Sequence, residues 1–149
     1  SQNIRFTLLK AVARHEADIA NDFMGLETYR RNIEHIIHIC QARGIAVVLS
    51  TFSQFLYPEV RDDALYLKYS DGLRRENSVI RELAAKHSLP LVDNEALIPQ
   101  EEKYFFDTLH FTPEGMRLLA ENISHPIIDH LRCRERQGPI GRELDKISR

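Results

Sequence analysis

The sequence predicts an α/β fold, a three-layer αβα sandwich around a parallel sheet, of which these 149 residues supply only a part. Three observations carry that expectation. Apolar residues recur at steps of three and four in long stretches, the period of helices with one buried face. Two short apolar runs, 45–49 and 90–93, have the length and branched content of strands. Helix and strand signals alternate, which is the order of a parallel sheet joined by right-handed crossovers.

Ile4, Leu8, Leu9, Val12 and Ile19 predict a first helix over 3–22, ended by Gly25. Leu26, Tyr29, Ile33, Ile36, Ile37 and Cys40 predict a second over 27–43, stopped at Gly44. Ile45 to Leu49, with two adjacent valines, reads as a strand buried on both faces, and 51–61 as a loop carrying Phe52, Phe55, Tyr57 and Pro58. A third helical region spans 62–87, broken at Ser70-Asp71-Gly72, with Val79, Ile80, Leu83 and Ala84 inward. Residues 90–93 form a short strand ended by Asp93, a cap for the next segment. Residues 94–106 are an irregular approach to a last helix over 113–131, and 132–149 are a polar tail.

Two strands are fewer than the four to six a sheet usually carries. The missing neighbours are expected from an N-terminal part of the same protein or from a second copy, because open strand edges need partners. Ser1 stands first without a methionine, which reads as a chain beginning inside a longer protein and leaves the compartment unread. Residues 1–131 are then the C-terminal part of one α/β domain.

Composition narrows the function classes. A hydrophobic content of 43% can build a core, and a net charge of −2 with acids and bases interspersed leaves no basic stripe for nucleic acid. No apolar run approaches the roughly 18 residues of a membrane span. Two cysteines, Cys40 and Cys133, make neither a disulfide framework nor a metal site and fit a reducing compartment. His35 and His38, three apart on the second helix, lack a third ligand and read as solvated, so no metal and no cofactor is expected. His125 and His130 flank Pro126 without a partner.

The chemistry concentrates at Asp107-Thr108-Leu109-His110, followed by Phe111-Thr112-Pro113-Glu114-Gly115. A carboxylate three residues before an imidazole can orient the ring and leave its far nitrogen free to take a proton from a hydroxyl or thiol. Thr112 reads as helix N-cap, Pro113 as first helical residue and Glu114 as a first-turn acid. The positive helix end two residues past His110 should favour the neutral ring that a general base needs. Tyr104-Phe105-Phe106 reads as core packing behind Asp107.

Asp107-x-x-His110 with its helix resembles the last sequence block of the SGNH (GDSL) hydrolases, a family of serine ester hydrolases. Residues 29–37 and 43–51 look like the helix and central strand that precede it, and Glu76-Asn77 through Asp93 is similar to the next helix and strand. The resemblance runs over 1–131 and is specific between Asp107 and Gly115. It implies a flavodoxin-like sandwich, a base at His110 oriented by Asp107, and an acyl-enzyme formed on a serine. The family's Gly-Asp-Ser block and the Gly-x-Asn-Asp block of its oxyanion hole are not in this chain: no glycine precedes Gly25, and Asn21-Asp22 follows Ile19-Ala20. The nucleophile is therefore expected from the missing N-terminal part.

Ser50, Thr51 and Ser53, beyond the first strand, are candidates to touch substrate, since ligands of such sheets sit past the carboxyl ends of the strands. Ser53 lacks the flanking glycines of a nucleophile elbow. The expected substrate is a small-molecule, carbohydrate or lipid ester. The alternative is a non-catalytic α/β fragment, or a binding or structural domain, in which Asp107 merely starts a capped helix.

Overall fold

The computed structural model describes the backbone of residues 25–137 and the side chains of 25–132. The predicted helix over 3–22, the Asn21-Asp22 pair, the Cys133 side chain and most of the polar tail lie outside the described residues. The described part is α/β: α1 (Gly25–Ala42), β1 (Leu49–Ser50), α2 (Ala64–Lys86), β2 (Leu91–Val92), α3 (Asn94–Leu97), a 3-10 turn (Glu102–Tyr104) and α4 (Pro113–Gln137).

The two strands are parallel, in register Leu49 with Leu91 and Ser50 with Val92, and form a two-stranded sheet. The first strand is shorter and later than the run 45–49 predicts. Ile45 is 53% exposed, and ladder bonds begin only where the Leu49 N–H donates to the Pro90 carbonyl at 3.0 Å. The apolar run is therefore not buried on both faces by the described residues. Hydrophobicity marks where a strand can lie, while pairing decides where it does, and among the described residues β2 alone pairs with it.

Helix α1 ends as its glycine demands. Gly44 adopts φ +67°, its N–H reaches the Gln41 carbonyl at 3.0 Å, and the Ile45 N–H reaches Cys40 at 2.9 Å, a Schellman cap. Helix α2 ends in the same pattern with Ser88 at φ 52°: Ser88 N–H to Ala85 at 3.2 Å and Leu89 N–H to Ala84 at 2.9 Å. The Asp63 carboxylate caps its start by accepting the Leu65 N–H at 3.0 Å.

Helix α2 is unbroken across Ser70-Asp71-Gly72, against the sequence expectation. Asp71 reaches forward to Arg75 at 2.8 Å, an i,i+4 pair, and buried Ser70 accepts from Gln54. These contacts offset the roughly 1 kcal/mol that glycine costs a helix interior. Helix α4 likewise passes the predicted end at 131 and continues to Gln137 with Pro126 inside it, so the first residues assigned to the tail are helical.

The helix pair packs through Ile37, Val79 and Leu83, with Leu26, Tyr29, Ile33, Val47, Leu49 and Leu89 around them. Arg30 and Glu82 tie the same pair at 2.7 Å. A second cluster, Tyr57, Val60 and Tyr66 with Phe55 and Leu56, is formed by the loop after β1 and the first turn of α2. No described helix is long and apolar enough to cross a membrane.

Candidate active site

The segment 105–112 is built by its own backbone. Phe105 and Phe111 form an antiparallel bridge, and the Phe106 N–H donates to the His110 carbonyl at 2.6 Å, closing the loop that holds Asp107 and His110. Phe105 is buried, with Phe55 stacked on it at 5.6 Å and Phe111 tilted against it at 5.1 Å. The Tyr57 hydroxyl donates to the Phe105 carbonyl at 2.7 Å, and the Phe55 N–H to that of Thr108 at 3.0 Å. Aromatic contacts of this kind contribute about 0.5–1.5 kcal/mol each beyond burial. The expectation of core packing by Tyr104-Phe105-Phe106 holds for Phe105 alone. Phe106 is exposed, and Tyr104 faces Lys103, whose ammonium lies 4.7 Å from its ring.

Thr112 caps α4 as its sequence position predicts. Its hydroxyl oxygen accepts the Gly115 N–H at 3.2 Å and donates to the Lys103 carbonyl at 2.6 Å. Gly115 is needed for a different reason: a Cβ there would lie 2.1 Å from the Tyr104 carbonyl oxygen. The absent side chain lets the 3-10 turn rest directly on α4 and so sets where Asp107 enters.

Within this frame the structure brings Asp107 and His110 together. His110 Nδ1 lies 2.9 and 2.8 Å from the two Asp107 oxygens. An ionised carboxylate only accepts, so Nδ1 carries the proton and donates it. Nε2 makes no hydrogen bond among the described residues, and the side chain is 75% exposed. Burial raises the Asp107 carboxyl, but the N–H groups of Leu109 and His110, each at 2.9 Å, and the imidazole outweigh it and hold it below its ordinary value. Two buried hydroxyls, those of Tyr66 and Thr108, have no hydrogen-bond partner among the described residues. The Tyr66 hydroxyl is raised by burial, then by the charges of Asp63 and Asp107.

The three candidates near β1 are placed differently. Ser53 is fully buried and accepts from Gln100 Nε2 at 3.2 Å. Thr51 is buried, donates to Asp93 at 2.8 Å and accepts the Glu95 N–H at 3.0 Å. Exposed Ser50 accepts from Asn94, which in turn accepts from Asn122 of α4. None of the three bonds to His110. Asp93 stands at the cap position of α3 but makes no side-chain cap. Its carboxylate is taken up by Arg81, at 2.9 and 2.7 Å, and by Thr51, and the Arg81 contact chiefly lowers it.

Two further arrangements carry little sequence signal. Asn77, buried on α2, donates to the Phe52 carbonyl at 2.8 Å and accepts the Phe52 N–H at 2.9 Å, so its amide stands in for a strand partner of the loop. Only a buried amide on an otherwise apolar face could have marked it. Glu34, His38 and His87 bring one ligand atom each to within 4.8 Å of one another. The Glu34-x-x-x-His38 spacing puts those two on one face of α1, but the third member comes from another helix, while exposed His35 is not among them.

No protein-family model matches the chain, and no curated protein matches it.

Proposed function

We propose that this chain carries the base half of an SGNH-type serine ester hydrolase, with His110 as general base and then general acid, and Asp107 fixing its tautomer. The observation that supports the reading most is the geometry of the pair: Nδ1 held by both carboxylate oxygens, and Nε2 at an exposed edge without a hydrogen bond among the described residues. A serine hydroxyl reaching Nε2 would pass its proton there, attack the ester carbonyl and expel the alcohol, which takes that proton back. Water would then release the acid by the same route. The serine and oxyanion donors come, in this proposal, from an upstream block, and the described strands from one edge of a three-layer sandwich that block completes. The substrate is a small-molecule, carbohydrate or lipid ester.

One observation favours the non-catalytic alternative. Asp107 also accepts the backbone N–H groups of Leu109 and His110, which is what a turn staple does. A fluorophosphonate probe and a short acyl ester separate the two. Protein carrying the upstream block should be labelled on serine and should hydrolyse the ester, and His110→Ala should abolish both. The chain 1–149 alone should do neither. Retained activity in His110→Ala, or labelling of Ser50 or Ser53 in the isolated chain, would overturn the assignment.

A further inference from the structure

We propose that Glu34, His38 and His87 form a binding site for a divalent transition metal ion, zinc by ligand type, that ties α1 to the end of α2. One carboxylate oxygen and two imidazole nitrogens are the donor set zinc favours, with a fourth position left to solvent. The three ligand atoms lie within 4.8 Å of one another. In a tetrahedral site with bonds of roughly 2.0–2.1 Å, ligand atoms stand about 3.3 Å apart. The hydrogen-bonded His87 and Glu34 atoms, at 2.7 Å, therefore part slightly to admit the ion, a matter of side-chain rotation rather than movement of helices.

The backbone under the site is fixed. Ile37, between Glu34 and His38, is fully buried against Val79 and Leu83, and Leu83 lies one turn before His87. His87 is the last residue before the left-handed Ser88, where the Schellman cap holds the chain. His87 Nε2 already stands 2.7 Å from Glu34 Oε1, and the two imidazole rings meet edge to face at 5.2 Å. Sites carried by packed helices keep their geometry better than sites on loops.

The same oxygen of Glu34 also takes Lys86 Nζ at 2.7 Å. Lys86 is thus a built-in rival cation: it holds the carboxylate ionised in the absence of metal and must let go when metal arrives. Removing Lys86 therefore frees a ligand oxygen and lifts a repulsive charge, while His35 on the same helix serves as the control for casual binding to a surface histidine.

The test uses the 149-residue chain with zinc chloride in a calorimeter, and cobalt chloride read by its visible absorption. One equivalent of zinc should bind, and cobalt should give the intense bands of a four- or five-coordinate site. His38→Ala should weaken zinc by about tenfold or more, since even supporting residues around a metal are worth 10–100-fold. His35→Ala, an exposed histidine on the same helix, should leave it unchanged, and Lys86→Met should tighten it. Because His38 is exposed, its loss should spare the fold, which circular dichroism checks. Absence of uptake at millimolar zinc, equal affinity in wild type and His38→Ala, or an equal loss in His35→Ala would each overturn the site.

Discussion

The loop holding Asp107 and His110 and the sheet beside it are stabilised in opposite ways. The loop 105–111 is closed by its own bridge, pinned by Tyr57 and Phe55, and seated on α4 through Gly115. Its Asp107 and His110 pair is three residues apart, so its geometry comes from a turn and a helix start. The sheet consists of two paired residues per strand, with Ile45 largely exposed beside it and no third strand among the described residues. Its support is long-range: Arg81, Thr51 and Asp93 join α2, β1 and β2 across the end of the pair. The difference shows that an Asp-His pair can be fixed by local contacts where the sheet beside it, among the described residues, has two short strands.

The largest effects are expected from substitutions at Asp107 and His110. Under the proposed function, His110→Ala should lower ester hydrolysis of protein carrying the proposed upstream block by about a thousandfold or more, as loss of a triad base does. It should leave thermal melting nearly unchanged, because the ring is exposed. Asp107→Asn should lose comparable activity and also about 1–2 kcal/mol of stability, because it weakens the cap on Leu109 and His110 as well. Equal stability loss in both variants would mean that the imidazole is itself structural.

Gly115→Ala comes next. Alanine is worth roughly 1 kcal/mol over glycine in a helix interior, but its methyl would meet the Tyr104 carbonyl oxygen at 2.1 Å, and overpacking of this kind costs about 1–3 kcal/mol. The net should be destabilising, with the 3-10 turn pushed off α4 and activity reduced through Asp107. A more stable variant would show that the turn is free to move and that the loop is less fixed than its contacts indicate.

The same division separates the features legible in the sequence from those that were not. Asp107, His110 and the Thr112 cap could be read because each acts within a few residues of itself. The Gly44 stop could be read because a positive φ favours glycine. The extent of β1 could not be read, because pairing with β2 across more than forty residues decides which part of an apolar run becomes strand. Asp93 looks like a cap by position, yet Arg81, twelve residues back on α2, takes its carboxylate. Asn77, Gly115 and the Glu34, His38, His87 group escape for that reason too: each is defined by what another element brings to it.

Acid should affect both halves, through different partners. Asp107, Asp93 and Glu34 all titrate below their ordinary values; Asp93 is lowered chiefly by Arg81, and Glu34 falls to about 2 through Lys86 and His87. A carboxyl depressed in the fold adds stability that is present above its unfolded pKa of about 4 and is lost as pH falls through the folded value. Denaturant midpoints should therefore hold near neutrality and drop from about pH 4 towards 2. Asp93→Asn should flatten that drop through the sheet half, and Asp107→Asn through the loop. An unchanged acid limb in both variants would place the acid-sensitive groups elsewhere.

The smallest effect should come from the helix pair behind the sheet, and it is a gain. Gly44 and Ser88 occupy the same position of the same cap, at φ +67° and 52°, yet only one is glycine. A side chain in the left-handed region costs roughly 1 kcal/mol that glycine avoids. Glycine gives part of this back through the greater freedom of its unfolded chain. Ser88→Gly should therefore raise stability by about 0.5–1 kcal/mol, measured as a higher denaturant midpoint at unchanged slope. It should do so without touching ester hydrolysis, since the Ser88 side chain holds nothing that the Asp107 and His110 loop needs. A loss of stability would mean that the Ser88 side chain supports the cap, and would leave the two helix ends alike in backbone only.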